Sequence, residues 1–227
     1  SDTMLRPGWV MEDARRVARE RNGSHVVLTV DELEQEELRR NPVDRCYLCK
    51  RCLFSDLKKF AKEKGCSTIL DGTNEDDLHV YRPGIRALRE LGIVSPLALC
   101  GMTKQEVKEL AARLGISAAS RPSTPCMATR LPYGAEVSYE LLKRIEEGEE
   151  YLRSLLDQGG KKGNIRLRIH ADTARIEVDE EQLLETVRKR EQIVKRLKEL
   201  GFTYVTLDLE GFRSGSMDVH LKTGADN

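Results

Sequence analysis

Short β-branched runs alternating with helical periodicity constrain this chain more than any other feature. HVVLTV at 25–30 and CSTIL at 66–70 read as buried strands. Helical stretches surround them: residues 10–21, and Tyr47 to Lys64, where Leu48, Phe54, Leu57, Phe60 and Ala61 fall at helical spacing before Gly65. A short helix begins after Pro83, and an apolar stretch, IVSPLAL, follows it. Thr103 to Leu114 is the best-punctuated helix, because Thr103 and Glu106 form a capping box and Gly115 supplies the stop. The alternation implies an α/β fold, a largely parallel sheet with flanking helices.

After Gly134 the texture changes. A long helix from Ser138 to Leu156 leads through the turn cluster DQGGKKGN into strands IRLRIH and TARIEV; a helix from Asp179 to Leu200 and a strand YVTLDL follow. The expected layout is therefore a first domain over 1–134 and a smaller C-terminal α/β domain over 135–227. GGKKG at 159–163 superficially suggests a phosphate loop, but a strand follows it rather than a helix, so it reads as a hairpin turn.

Lys plus Arg equals Asp plus Glu at 38 each, so no global field draws the chain to nucleic acid or to an anionic membrane. No apolar run approaches the roughly 20 residues that span a bilayer, and the first residues lack the marks of a secretory signal. A cytoplasmic location follows as the expectation. In that compartment the six cysteines read as reduced thiols or metal ligands rather than disulfides.

Cys46, Cys49 and Cys52 lie three apart and, on a helix, project from one face, which resembles part of an iron–sulfur ligand run. Structural zinc competes for the same thiols, although it needs four ligands and no second CxxC or H-x3-H is present. The four histidines are isolated, and Cys66 and Cys100 read as small core residues. Cys126 differs, because Pro122, Pro125 and Pro132 restrict the backbone around it. Arg121, Ser123, Thr124, Thr129 and Arg130 crowd the same loop, a setting that lowers a thiol pKa and binds an anion.

Asp71, Gly72, Asn74 and Asp77 belong to DGTNEDD, which follows a strand, where parallel sheets meet their ligands; taken alone it is also an ordinary turn with an acidic helix start. Arg166 and Arg168 share one face of a strand and suit a phosphate or carboxylate. The competing reading is a solvated basic face balanced by Glu177 on the neighbouring strand.

DGTNEDD, YRPGIRALRELGI, KQEVKELAARLG and PCMATRLPYG, in this order, resemble the PP-loop ATP pyrophosphatases. RLRIHADTARIEV and LGFTYVTLDLEGFRSGSM narrow the resemblance to the sulfur transferases that mature the nickel-pincer cofactor of lactate racemase. The resemblance implies an adenine nucleotide alpha hydrolase-like fold and an enzyme that uses ATP and Mg2+ to adenylate carboxylates of a pyridinium mononucleotide. Sulfur then displaces AMP to give thiocarboxylates. It also implies that Cys46, Cys49 and Cys126 fall on the three positions that hold a [4Fe-4S] cluster. Cys126 and Arg130 are the catalytic candidates; Asp71, Gly72, Asn74 and Asp77 face the nucleotide, and Arg166 and Arg168 a phosphate. Glu149 and Glu177 match acidic residues placed near that phosphate with a divalent metal, and Glu185 matches more weakly. The implied protein is a homo-oligomer that works with other proteins of the nickel-pincer pathway.

The departure is SGGxDS, the loop that gives the superfamily its name and grips pyrophosphate, which is absent from this sequence. The first domain is expected to be N-terminally incomplete, with weak ATP binding. Two alternatives stay open at this point: a tRNA-thiolating enzyme of the same superfamily, and a non-enzymatic cluster or zinc module.

Overall fold

The computed structural model describes residues 5, 9–119, 125–157 and 163–217. The chain divides into two compact units, Ser1–Thr124 and Pro125–Asn227, so Cys126 and Arg130 belong to the second.

The first unit is helical. Its elements are α1 (Trp9–Glu20), α2 (Glu36–Arg39), α3 (Arg45–Glu63), α4 (Pro83–Glu90), α5 (Pro96–Leu99) and α6 (Lys104–Arg113). Prolines open α4 and α5, where a missing N–H costs nothing. The capping box at α6 forms as read, with the Thr103 hydroxyl accepting from the Glu106 amide and the Glu106 carboxylate accepting from the Thr103 amide. Leu33, Leu38, Tyr47, Ala87, Leu88 and Ile93 make its core. α4 presses on α3 at Gly84, where an added Cβ would lie 2.8 Å from Lys50 Cδ and 3.2 Å from the Cys46 carbonyl oxygen. Arg86 lies 3.8 Å from the Tyr47 ring centroid, and the Tyr47 hydroxyl donates to Glu90 at 2.7 Å.

The expected parallel sheet is the main correction. Among the described residues of this unit it is reduced to bridge positions: Thr29, and Leu70 parallel to Val94, the latter made by Asp71 N to Val94 O at 2.9 Å and Val94 N to Ile69 O at 3.0 Å. HVVLTV contributes a bridge residue at Thr29 but no strand; Val26 is 55 % exposed and Leu70 60 %. Parallel strands depend on neighbours at both edges and cover on both faces, so β-branched composition alone does not make them. Cys66 and Cys100, read as core residues, are both exposed.

The second unit is α/β. It comprises α7 (Tyr139–Leu156), β1 (Ile165–His170), β2 (Thr173–Val178), α8 (Leu183–Arg188), α9 (Arg190–Glu199) and β3 (Tyr204–Leu207), with the sheet ordered β1-β2-β3. β1 and β2 are antiparallel, with Arg166 opposite Glu177 and Arg168 opposite Arg175; β2 and β3 are parallel, joined by the helical crossover. Ser138 caps α7 by accepting from the Leu141 amide. Leu142, Ile145 and Leu152 of α7 meet a core built with Leu167, Ile176, Ile193 and Leu197. α7 comes closest at Gly148, where a Cβ would lie 2.7 Å from Leu167 Cδ2. The single helix expected over 179–200 is broken, with a short 3-10 turn at Glu180–Gln182 and a break at Lys189, whose ammonium donates to the Leu155 carbonyl at 2.6 Å. The GGKKG turn lies outside the described residues except for Gly163.

Candidate functional site

In the first unit α3 carries the thiols. Cys46 is exposed while Cys49 and Cys52 are half-buried. One helical turn separates Cys46 from Cys49, so both present sulfur donors near one line of the helix. Cys52 has rotated further round: burial, then the charge of Asp56, pushes its thiol pKa up, against a hydrogen bond from Gln35. No cysteine of the chain is in a disulfide, and among the described residues no three His, Cys, Asp or Glu side chains gather into a metal-binding group.

DGTNEDD closes on itself. Asp71 accepts from the hydroxyls of Thr73 and Ser95, both at 2.5 Å. Asn74 and Asp77 form a capping box at the start of a 3-10 helix, Glu75–His79, and Asp77 also meets Arg82 at 3.1 Å. Nothing lies within 4 Å of a Cβ added to Gly72. Lys50, adjacent to Cys49, went unnoticed in the sequence. Burial of its stem over Gly84 lowers its pKa, and the nearby Asp71 carboxylate opposes that shift.

In the second unit two buried carboxylates organise four arginines. Arg130, 1 % exposed, donates from Nε to Glu149 Oε1 at 2.7 Å and from Nη2 to Oε2 at 2.9 Å, a bidentate fork. Its Nη1 reaches the carbonyls of Pro125 at 3.1 Å and Cys126 at 3.2 Å and the Thr129 hydroxyl at 3.2 Å. Glu149 also accepts from Arg153 at 2.8 Å and from the Leu167 amide at 3.1 Å. Burial alone would raise its pKa, but Arg130, Arg153 and the amide prevail and hold it below the ordinary carboxylate value. Glu177 repeats the arrangement, accepting from Arg168 at 3.0 Å, Arg175 at 2.9 Å and the Ser216 hydroxyl at 2.8 Å.

Arg166 and Arg168 share a strand face as read, yet that face is buried, at 7 % and 5 % exposure, not solvated. Arg168 also donates to the Thr129 carbonyl at 2.8 Å. Arg166 lies 5.1 Å from the Phe212 ring centroid, and burial, then the charge of Arg130, lowers its pKa to about 10. It stays cationic at neutral pH. Arg153, Arg175 and Ser216 were missed in the sequence. The signal for the first two was present as Glu149-x3-Arg153 on a helix and Arg175-x-Glu177 on one strand face. Ser216 carries no such signal. Glu185 of α8 pairs with Arg188 and with Lys189 at the break that follows, not with these triads. Arg121, Pro122, Ser123 and Thr124 lie outside the described residues.

No protein-family model matches the chain. Three relatives do. An uncharacterised protein of Synechocystis is 37 % identical over 210 residues, covering 92 % of this chain and 76 % of its own length. An uncharacterised protein of Methanocaldococcus jannaschii is 36 % identical over 206 residues, covering 91 % and 77 %. The pyridinium-3,5-bisthiocarboxylic acid mononucleotide synthase of Lactiplantibacillus plantarum is 34 % identical over 190 residues, covering 84 % and 67 %. With identity at this level across most of both chains, the protein belongs to the family of pyridinium-3,5-bisthiocarboxylic acid mononucleotide synthase.

Proposed function

We propose that this protein is an ATP-dependent sulfur transferase of the PP-loop ATP pyrophosphatase superfamily that converts carboxylates of a pyridinium mononucleotide to thiocarboxylates in nickel-pincer cofactor biosynthesis. The observation that carries the reading is the 34 % identity over 84 % of the chain to a synthase of that product class. A carboxylate is a poor acyl donor; attack of its oxygen on the α-phosphorus of ATP, brought as its Mg2+ complex, releases pyrophosphate and installs AMP as a leaving group. A sulfur nucleophile then attacks the acyl carbon and AMP departs. Arg166 is the cation assigned to the substrate phosphate, and the turn carrying Asp71, Gly72, Asn74 and Asp77 is assigned to the nucleotide. Cys126 is the sulfur-handling thiol.

Cys46, Cys49 and Cys126 are the proposed ligands of a [4Fe-4S] cluster, a donor set of thiols suited to iron. When bound, such a cluster with three protein ligands supplies an iron open to an added sulfide. Cys52, turned aside with a raised pKa, is outside the set. The protein is proposed to act in the cytoplasm as a homo-oligomer, alongside other proteins of the nickel-pincer pathway.

The test is turnover: anaerobic protein is mixed with ATP, Mg2+, a sulfide source and the dicarboxylate pyridinium mononucleotide, and the products are analysed by mass. Replacement of carboxylate oxygen by sulfur, together with pyrophosphate release that depends on the mononucleotide, is expected. Pyrophosphate release without sulfur in the product would leave an adenylating enzyme and defeat the sulfur-transfer reading.

A further inference from the structure

A divalent cation does not fit Glu149 and Glu177. A carboxylate offers about four lone-pair directions, and Glu149 spends them on Arg130 twice, on Arg153 and on the Leu167 amide, at 2.7 to 3.1 Å. Glu177 is likewise given to Arg168, Arg175 and Ser216. Both carboxylates are nearly inaccessible, at 1 % and 0 % exposure. Binding a metal there would strand at least one buried guanidinium without its counter-ion.

We infer that Glu149 and Glu177 are positioning residues that hold two arginines against the loop carrying Cys126. That loop runs from Pro125 into the 3-10 turn Met127–Arg130, and its carbonyls point at guanidinium groups. Arg130 takes the carbonyls of Pro125 and Cys126, Arg168 takes that of Thr129, and the Thr129 hydroxyl closes back on the Cys126 carbonyl at 2.7 Å. Three anchored carbonyls on a five-residue span fix where the Cys126 backbone lies, hence the direction from which its sulfur is presented. An arginine without a carboxylate behind it would swing toward water; the bidentate fork at Glu149 removes that freedom. Arg130 is thus spent inside the protein. It sets the Cys126 loop and is not the group that receives substrate.

The inference rests on Cys126 as the thiol that matters, but its test needs neither ATP nor substrate. Cys126 is alkylated with N-ethylmaleimide in the native protein free of iron, and each cysteine-bearing peptide is quantified against time. Glu149→Gln and Thr129→Val are expected to change the Cys126 rate by about two- to tenfold, the kinetic counterpart of losing one or two hydrogen bonds, with Cys46 and Cys49 unchanged. Ile193→Val, a buried change in the same unit that leaves the loop alone, is expected to leave the Cys126 rate unchanged. Thr129→Val removes one partly exposed hydroxyl and decides the matter should Glu149→Gln fail to fold. A titration with Mn2+ followed by electron paramagnetic resonance is expected to show no tight binding that depends on Glu149. Unchanged Cys126 reactivity in the folded variants, an equal change in Ile193→Val, or tight Mn2+ binding lost in Glu149→Gln would each overturn the inference. Because the readout is the thiol itself, such a failure leaves the sulfur-transfer reading standing, and absent turnover leaves the positioning role standing.

Discussion

A residue's chemistry here depends on who already holds it. Arg166, Arg168 and Arg130 look alike in sequence, yet Arg130 and Arg168 are bound to buried carboxylates and loop carbonyls, while Arg166 lies over Phe212 with its pKa lowered. The residue types were legible, and so was Glu177 as the partner across the strands; the Arg130–Glu149 pair was not, since the two are nineteen positions apart and nothing local joins them. Glu149 also gives the second unit a testable pH dependence. Its folded pKa is depressed, so its contribution is fully present above the unfolded carboxylate value, near 4.3, and is lost as pH falls through the lower folded value. Removing one partner of a buried pair costs about 3–5 kcal/mol. Glu149→Gln should therefore be less stable by that order at neutral pH, and the gap to wild type should narrow as pH falls below about 4. Urea unfolding at a series of pH values measures it; a gap constant down to acid would refute the linkage.

Among elements, most helices and the strands of the second unit were legible, and the strands expected in the first unit were not borne out. α3, α6 and α7 announce themselves through periodicity and caps that act within a few residues, as at Thr103 with Glu106. β1 and β2 were found because each is short, apolar at alternate positions and paired with its neighbour in sequence. HVVLTV and CSTIL are also β-branched, but they contribute only bridge positions, Thr29 and Leu70, and a strand is defined by its pairing. Close helix packing was likewise invisible until Gly84 and Lys50 met. A methyl group there would press on the Cys46 carbonyl oxygen at 3.2 Å and on Lys50 Cδ at 2.8 Å, and backbone cannot give as a side chain can. Gly84→Ala should cost about 1–3 kcal/mol, the usual range for overpacking. A melting temperature equal to that of wild type would show that α4 moves away from α3 at no cost.

At the scale of the whole molecule, the candidate thiols are found in both compact units. Cys46 and Cys49 stand on α3 in the first, Cys126 on its arginine-held loop in the second. The order of motifs in the sequence pointed to the family, and a named relative matched over 84 % of the chain supports it. Fold alone would not have done so, because function is carried by sites rather than by architecture. Among the described residues no helix is long and apolar enough to cross a membrane.

The proposed set of cluster ligands, Cys46, Cys49 and Cys126, is open to direct measurement. Iron analysis of anaerobically reconstituted protein, with Mössbauer spectroscopy, tests it most directly. One four-iron cluster per chain is expected, retained in Cys52→Ser and lost in Cys46→Ser, Cys49→Ser and Cys126→Ser. Stoichiometric zinc with no iron, or a cluster that survives Cys126→Ser intact, would contradict it.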